Sequence, residues 1–484
     1  MHEPAAEEHG DQDEMTEMVK GGQAHAAFEE AFETGDELFE TLFNALDGGG
    51  ANVGGGQRFT RTPRADLSGA GEWANHFPSR ATGPNAQACS SCHNQPADDG
   101  AGAASGNVHR DPLHSGNLGQ FIQRNTPHVF APGAVQRLAE EMTEALHLIR
   151  DQAKTEACAS GASTKTLTAK GVGFGTITVT RTSASPCQVQ VNTTGVQGVS
   201  ADLVVRPFQW KGSVASLRDF NRGAAHNELG MQAVELVGEG QDGDFDGVEN
   251  EMTIGDMTAL AVYLASQPRP TTKLELASLG LIQPLPAHEV TAINRGAQIF
   301  QQVGCSSCHT PQLTINDPVF REPSANPNFR DAVFPAGQNP LAEGCDPSFP
   351  VSFDLTKDQP DNVLRDANGN VVFRLGSLQK DGQGRAVVAL FGDLKRHNLG
   401  PDVAESIDEV GTGASVFLTE NLWGVGTTAP YLHDGRASTL TEAILAHGGE
   451  AAAARAAFDQ LGPPKQKDLI AFLDNLVLFK IPED

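Results

Sequence analysis

Apolar residues recur at helical spacing along most of the chain. In residues 134–150, Val135, Leu138, Met142 and Leu146 fall on one face, which predicts an amphipathic helix. The same spacing predicts shorter helices elsewhere, at residues 35–43, 213–228, 253–266, 290–303, 440–447 and 466–478. Residues 310–415 show little periodicity and many Pro, Asp and Gly, so we expect long loops with short elements there.

One stretch has a different pattern. Residues 160–206 contain β-branched side chains in alternation, as in Gly175-Thr176-Ile177-Thr178-Val179 and Val189-Gln190-Val191, separated by glycines. This predicts a small β-rich insert in a mainly α protein. Residues 1–34 are acidic and poor in bulky apolar groups, which indicates a flexible leader. The remainder divides at the proline-rich segment near residue 270, giving an N-terminal unit, 35–270, and a C-terminal unit, 271–484.

Each unit contains one Cys-x-x-Cys-His motif. The first is Cys89-Ser90-Ser91-Cys92-His93, and the second is Cys305-Ser306-Ser307-Cys308-His309. This is the attachment pattern of c-type haem, in which the thiols bind the porphyrin and the histidine binds iron. A zinc site would need a second ligand pair near each copy, and a thioredoxin motif needs no trailing histidine. We therefore expect two covalently bound haem c groups in two cytochrome c-like domains.

Composition limits the partners and the cellular location that we expect for the protein. The 484 residues are 39% hydrophobic with a formal net charge of −27, so nucleic acid and anionic lipid are poor partners, and a basic or small neutral redox protein fits better. No apolar stretch is long enough to span a membrane. Thioether haem is made outside the cytoplasm, which indicates a periplasmic protein, although Met1-His2-Glu3-Pro4 carries no signal peptide. Cys158, Cys187 and Cys345 lie outside the haem motifs; we expect a Cys158–Cys187 disulfide, the alternative being three buried thiols.

The occupant of the second axial position of each iron indicates its function. A protein ligand there favours electron transfer, and an open position favours chemistry at the iron. No methionine follows Met257, so the C-terminal haem has no methionine ligand from its own unit. Its local candidates are His397, His433, His447, Tyr431 and Cys345. His447 lies at the end of a predicted helix, where a histidine can simply interact with the helix dipole. We favour its role as an iron ligand over this alternative. His433, beside Asp434, equally suits a hydrogen-bonding role around the site.

Short runs in both units, above all Tyr431-Leu432-His433-Asp434-Gly435, resemble the bacterial di-haem cytochrome c peroxidase and MauG superfamily, and most closely its di-haem oxidoreductase branch, often labelled thiol oxidoreductase. The resemblance covers roughly residues 35–484. It is carried by short runs, namely Thr428-Ala429-Pro430-Tyr431-Leu432-His433-Asp434-Gly435, Leu440-Thr441-Glu442-Ala443-Ile444, Gly83-Pro84-Asn85-Ala86, Arg124-Asn125-Thr126-Pro127, Asp393-Leu394-Lys395-Arg396-His397 and His447-Gly448-Gly449-Glu450-Ala451.

The resemblance implies roles for particular residues. In the peroxidases a methionine ligand follows the histidine of the Tyr-x-His-Asp-Gly run by fourteen positions; here His447 stands at that distance from His433, which should lower the potential of that haem. The N-terminal haem would be the peroxidatic one, with His109 or His114 as a ligand in the resting state. The distal acid would lie on the following helix, where Glu140 and Glu141 are the candidates, the alternative being a solvated face. Trp210 or Trp423 would relay electrons, or else simply belong to the core.

A second motif is the acidic run at residues 242–253. Asp242, Asp244 and Asp246 with Gly247 match the opening of an EF-hand-like calcium loop. Thr253 stands where the loop normally has a bidentate glutamate, and Glu251 or Asp256 would have to replace it. The alternative is a plain acidic turn.

Together these features predict a di-haem c-type oxidoreductase. It would reduce hydrogen peroxide, or use it to oxidise a substrate, at the N-terminal haem, while the C-terminal bis-histidine haem relays electrons from a small redox protein such as a cytochrome c or a cupredoxin. The rival hypothesis is a non-enzymatic electron-transfer cytochrome. A third is oxidation of a protein or polymer substrate, as the resemblance to MauG and rubber oxygenases suggests.

Overall fold

Helices form the frame of the computed structural model, which describes residues 3–6, 8–50, 58–59, 80, 82–96, 100–103, 106–330, 339–342, 344–365 and 368–479. Helix accounts for 36% and strand for 17% of the structure, so helix predominates, although less completely than a mainly α fold would have it. Among the described residues, none of the helices combines the length and the apolar character that crossing a bilayer requires.

The α-helices are α1 (Gln12–Lys20), α2 (Ala24–Glu40), α3 (Pro132–Ser160), α4 (Leu217–Ala224), α5 (Val234–Val237), α6 (Ile254–Ser266), α7 (Lys273–Ser278), α8 (Ala287–Gln302), α9 (Leu440–Ala446), α10 (Ala452–Asp459) and α11 (Pro463–Asp474). The strands pair antiparallel in small sheets: β1 (Val108–Arg110) with β2 (Ile122–Arg124), β3 (Ala162–Ala169) with β4 (Val172–Ala184) and β5 (Cys187–Asn192), β6 (Thr271–Thr272) with β15 (Leu476–Val477), β7 (Leu313–Ile315) with β12 (Ala386–Val388), β8 (Val319–Glu322) with β9 (Val351–Asp354), β10 (Val363–Arg365) with β11 (Val371–Arg374), and β13 (Arg396–Asn398) with β14 (Val416–Leu418).

The acidic N-terminal segment is folded, which corrects the expectation of a flexible leader. Helices α1 and α2 cover most of it, and Phe28 and Phe32 of α2 are buried in the core. Gly35 lies inside α2, where a Cβ atom would come within 2.4 Å of the Ala259 carbonyl oxygen of α6. The missing side chain lets the two helices approach closely, and Phe32 meets Tyr263 of α6 with ring centroids 5.3 Å apart.

The predicted β-rich insert is confirmed as the three-stranded sheet β3–β4–β5. It follows directly from α3, which continues ten residues beyond the predicted end and stops at Gly161, whose φ is +99°. The expected Cys158–Cys187 disulfide joins the end of α3 to the start of β5. The sheet is thereby attached to the helix at both of its edges, since β3 begins at Ala162.

The C-terminal unit is built around α8 and α11, the predicted helices before the second haem motif and at the end of the chain. They cross closely at Gly296, where a Cβ atom would lie 2.0 Å from the Asp468 carbonyl oxygen. Phe300 of α8 packs on Phe472 of α11 with ring centroids 5.4 Å apart. This crossing places Cys305, in a 3₁₀ turn just after α8, at the wall of a cavity.

The buried core extends across the domain boundary predicted at residue 270. Phe320 of β8 and Phe353 of β9 belong to the same buried core as α2 and α3, and Phe28 of α2 lies 4.9 Å from Phe353 between ring centroids. Thr16 of α1 donates a hydrogen bond to the Gly344 carbonyl at 2.8 Å. The loops after the second haem motif therefore contribute to the core around the first.

Candidate functional site

The second haem motif opens onto a cavity of about 400 Å³ between α8, α9 and α11. Cys305, Cys308 and His309 line one part of its wall, and His447, which ends α9, lines another. Neither cysteine forms a disulfide. The thiols and the histidine thus face one enclosed apolar space, as c-type attachment requires.

His309 and His447 face each other across this cavity. The Nδ1 atom of His309 lies 3.1 Å from the Phe391 carbonyl oxygen, and that of His447 lies 2.7 Å from the Ala443 carbonyl oxygen. Each carbonyl can only accept, so each Nδ1 is the protonated nitrogen and each Nε2 keeps a lone pair. Burial, together with His447 nearby, lowers the pKa of His309 to about 4, and burial lowers the pKa of His447.

The spacing of these rings fits one iron between them. Their centroids are 6.4 Å apart. Two imidazoles bound to opposite sides of one iron have centroids about 6 Å apart, because each metal–nitrogen bond is about 2 Å long. Neutral rings with exposed lone pairs at this separation are the donor set that a bis-histidine haem needs. The residues present therefore fit the group that the sequence motif implies.

The other C-terminal candidates have different partners. His397 is held between Asp393, at 2.9 Å, and Glu450, at 2.8 Å. Burial lowers its pKa, but Asp393, Cys308 and Glu450 raise it more, to about 10, which favours an imidazolium held between the two carboxylates. Cys345 is buried elsewhere, where its thiol donates to the Gln12 side chain at 3.2 Å.

His433 and Tyr431 also line the cavity wall, and each has a partner of its own. His433 is buried against Phe417, with ring centroids 4.2 Å apart, and burial lowers its pKa to about 4. The hydroxyl of Tyr431 donates to the Val425 carbonyl at 3.2 Å. The backbone carbonyl of His433 accepts from the Asn125 amide at 2.7 Å, which joins this wall to the segment beside the first haem motif.

The first haem motif opens onto a second cavity, of about 150 Å³, lined by Cys89, Cys92 and His93. The Nδ1 atom of His93 lies 3.1 Å from the Gly100 carbonyl oxygen, and the Pro127 carbonyl adds a second backbone contact. Burial lowers the pKa of His93 to about 4, so the ring is neutral and one of its nitrogens keeps a lone pair that can bind a metal. The donor set again fits a c-type haem.

The N-terminal cavity differs from the C-terminal one, because His93 is the only histidine among the described residues that line it. His109 lies in β1, paired with Gln123 of β2, and does not line the cavity. The Nε2 atom of His114 contacts the Arg80 carbonyl. The structure therefore brings neither of the two histidines suggested by the resemblance to the wall of this cavity.

Glu140 and Glu141 also lie away from both cavities. Glu140 is buried and accepts hydrogen bonds from Gln136 at 3.0 Å and from Ser324 at 2.9 Å, besides its ion pair with Arg137. Glu141 accepts from the backbone amides of Asn316 and Asp317 and pairs with Lys170. Their position on α3 is covered by the loop after the second haem motif, so they connect α3 to that loop.

Two acids line the N-terminal cavity, Glu228 and Glu409, and the sequence singled out neither. Glu409 is paired with Arg110 at 3.2 Å and with Arg124 at 2.7 Å, so Glu228 is the better candidate for proton transfer. It lies in a π-helical turn, Ala225–Leu229, at the end of α4. Its backbone carbonyl accepts from the Asn85 amide at 2.8 Å, and its Oε2 atom is buried without a hydrogen-bond partner among the described residues. Burial raises the pKa of Glu228 to about 7, with a partial offset from Arg110. Insertions of this π-helical type are frequent at functional sites, but nothing in the local sequence marks one here.

Trp210 lines both cavities, together with the segment from Asn125 to Pro127. Its indole Nε1 donates to the Asn125 carbonyl at 2.7 Å, which fixes the ring between the two spaces. Trp423 is buried, and its carbonyl accepts from His128 at 3.0 Å, but it lines neither cavity. Of the two tryptophans considered, Trp210 is the one placed between the sites.

The acidic loop forms a compact cluster, in which carboxylate oxygens of Asp242, Asp244 and Asp246 all lie within 4.8 Å of one another. Burial and the neighbouring acids raise the pKa of Glu251. Asp256, the other suggested replacement for the missing twelfth ligand, instead caps α6 by accepting from the Thr253 amide at 2.7 Å and also accepts from the Gly10 amide.

Comparison with known proteins agrees with the haem motifs. A family model described as "Di-haem oxidoreductase, putative peroxidase" matches residues 381–476, a segment that contains His397, His433 and His447. No curated protein matches the chain. A solved structure of a MauG-like protein associated with microbial copper homeostasis is 15% identical over 55% of this chain and 68% of that chain, with a TM-score of 0.27. Residues 381–476 of this chain are thus similar to the di-haem oxidoreductase family.

Proposed function

We propose that this protein is a c-type di-haem oxidoreductase that consumes hydrogen peroxide at the N-terminal cavity. The observation that carries the proposal is the asymmetry between the cavities. Two neutral imidazoles, those of His309 and His447, lie opposite each other in the C-terminal cavity, whereas the described lining of the N-terminal one has a single imidazole, that of His93. An iron with an open side favours chemistry, and one with two protein ligands favours electron transfer.

In the C-terminal cavity, Cys305 and Cys308 would attach the haem, and His309 and His447 would bind its iron. Backbone carbonyls fix both rings, so little rearrangement would accompany a change of oxidation state. Two imidazoles leave no position for a substrate. This site would therefore store or relay electrons, at a lower potential than methionine ligation would give.

In the N-terminal cavity, Cys89, Cys92 and His93 would hold the other haem, whose iron supplies the chemistry of O–O cleavage when peroxide is present. Glu228 would hold and move the proton. A carboxyl group with a pKa of about 7 is present in both protonation states near neutral pH, so it can take a proton from peroxide and return it to the departing oxygen. Its unpartnered Oε2 atom is the one available for this transfer.

Trp210 would lie on the route between the two cavities, since its ring borders both. Reduction of one hydrogen peroxide to two waters takes two electrons and two protons. We propose that the electrons come from a small redox protein, a cytochrome c or a cupredoxin, attracted to the acidic surface of this chain. In the alternative, a separate substrate is oxidised and supplies the two electrons that reduce hydrogen peroxide. Haem attachment through thioethers supports a periplasmic location.

Turnover tests the proposal against the electron-carrier hypothesis. Holoprotein from a host that matures c-type haem would be mixed with peroxide and a reduced small cytochrome, starting from both the ferric and the half-reduced state. We expect donor oxidation with two electrons per peroxide from at least one of these states. Reversible reduction without peroxide turnover from either state would favour the carrier.

A further inference from the structure

The acidic loop lies directly beside the wall of the N-terminal cavity. Carboxylate oxygens of Asp242, Asp244 and Asp246 converge within 4.8 Å of one another. Calcium–oxygen distances are about 2.3–2.6 Å, so two oxygens bound to one ion are separated by at most about 5 Å. The three carboxylates are thus already spaced as ligands of a single hard cation.

Two buried carboxylates beside this cluster have oxygens with no hydrogen-bond partner among the described residues, Oδ1 of Asp244 and Oε1 of Glu251. Their side chains are nearly inaccessible, with 0% exposure for Asp244 and 3% for Glu251. Glu251 is connected to this loop through Gln232, whose backbone amide donates to Glu251 and whose side chain accepts from the Gly243 amide. A buried carboxylate oxygen without a donor costs several kcal/mol in order of magnitude, and a bound cation would remove that cost.

The charge count around the loop leaves room for a divalent ion. Arg80 pairs with Asp244 at 3.1 Å, and Arg58 pairs with Asp246 at 2.7 Å. Two guanidinium groups thus face four carboxylates, those of Asp242, Asp244, Asp246 and Glu251. Asp244 and Asp246 are thus each paired with one arginine, and the carboxyl groups of Asp242 and Glu251 are the ones that a divalent ion would neutralise.

The same groups are bonded to the segment that follows Glu228. Glu251 Oε2 accepts from the Gln232 amide at 2.8 Å, and the Gln232 side chain accepts from the Gly243 amide at 2.9 Å. Arg80 donates to the Gly230 carbonyl at 3.0 Å. Gly230 ends the π-helical turn that carries Glu228, so a displacement of the loop would be passed to the cavity wall.

We propose that Asp242, Asp244, Asp246 and Glu251 bind one divalent cation of the calcium class, and that this ion holds the wall carrying Glu228 in place. Carboxylate oxygens around a flexible loop suit Ca²⁺ better than Mg²⁺, which demands near-octahedral geometry and gives up its waters reluctantly. The positioning consequence rests on the function proposed for Glu228. The binding itself does not.

The binding test uses the full-length holoprotein, stripped with a chelator and titrated calorimetrically with CaCl₂ or MgCl₂ in the absence of peroxide. We expect one Ca²⁺ per chain and at least roughly tenfold weaker binding of Mg²⁺. Asp244→Asn should weaken Ca²⁺ binding at least tenfold, whereas Glu249→Gln, an exposed acid of the same loop, should not. Absence of Ca²⁺ binding to the stripped wild-type protein, or equal loss in both variants, would overturn the site. If Asp244→Asn fails to fold, the half-buried Asp242→Asn takes its place.

The positioning test compares the stripped and Ca²⁺-loaded wild-type protein. Ca²⁺ should raise the melting temperature, protect the chain near residues 230–232 from proteolysis, and change the electron paramagnetic resonance of the N-terminal haem but not of the bis-histidine haem. Ca²⁺ binding with no effect on any of these would refute the positioning role. None of these three measurements requires turnover. Failure of the peroxidase proposal is therefore distinguishable, because it would appear as absence of peroxide consumption by the Ca²⁺-loaded protein.

Discussion

Replacing Glu228 with glutamine separates its proposed catalytic role from its effect on stability. Glutamine has nearly the same size but cannot take up a proton at physiological pH. A positioned acid–base group contributes typically about 10²–10⁴-fold to rate. We expect Glu228→Gln to slow the reaction of the holoprotein with peroxide by roughly that factor, while leaving the bis-histidine site unchanged, since Glu228 lines only the N-terminal cavity.

The same substitution should stabilise the protein at alkaline pH. Burial raises the pKa of Glu228 from 4.5 to about 7, so the folded state disfavours the charged form. Below pH 4.5 the group is protonated in both states and costs nothing; the penalty grows between pH 4.5 and 7 and is complete above pH 7. At 1.36 kcal/mol per pH unit it amounts to about 3 kcal/mol, which Glu228→Gln should recover at pH 8 but not at pH 4.5.

Stopped-flow mixing with peroxide measures the effect on rate, and urea unfolding at pH 4.5 and pH 8 measures the effect on stability. Glu141→Gln is the matched control, because Glu141 pairs with Lys170 away from both cavities and should leave the peroxide rate within about twofold. A Glu228→Gln variant that keeps the wild-type rate would refute the proton-transfer role. A variant less stable than wild type at pH 8 would refute the assigned burial cost.

Three further expectations concern the C-terminal cavity and the insert. His447→Met should raise the potential of the C-terminal haem by on the order of 0.1 V, a fraction of the ~0.8 V that axial ligands span; an unchanged potential in a spectroelectrochemical titration would disprove ligation by His447. Because Asp393 and Glu450 hold the pKa of His397 near 10, above its usual 6.5, its stabilising effect is full below pH 6.5 and is lost toward pH 10. His397→Gln should therefore cost about 2–4 kcal/mol at pH 6 and little at pH 10, and a cost that does not vary with pH in urea unfolding would exclude the imidazolium. Replacing Cys158 and Cys187 together by serine should cost about 3–4 kcal/mol for their separation of 29 residues, measured by urea unfolding, and no loss would show that the disulfide is unimportant to folding.

Local covalent and periodic patterns were enough to predict much of the architecture. The Cys-x-x-Cys-His motifs depend on five consecutive residues, and the alternation at residues 160–206 depends on neighbours, so both could be recognised without tertiary information. The N-terminal segment was misjudged because its acidic residues dominate the composition, while small residues such as Ala27 and Ala31 form the buried face of α2. Average composition conceals an amphipathic helix of this kind.

Glu228, the proposed distal acid, could not be identified from the sequence, because its position depends on tertiary contacts. Glu140 and Glu141 are candidates because the resemblance implies an acid on this helix, but the loop at Asn316 and Asp317 covers Glu141. Glu228 reaches the cavity only because α4 ends in a π-helical turn and Asn85 binds its backbone. His447 could be singled out from sequence because spacing to His433 is a local quantity, and the structure places its ring opposite His309.

The central claim is that one iron is closed by two histidines while the other has an open side. Electron paramagnetic resonance of the holoprotein at low temperature, in the ferric and half-reduced states, tests it most directly. We expect a low-spin signal from the His309/His447 site and a high-spin signal from the N-terminal haem in at least one of the two states. Low-spin signals from both haems in both states would contradict the claim.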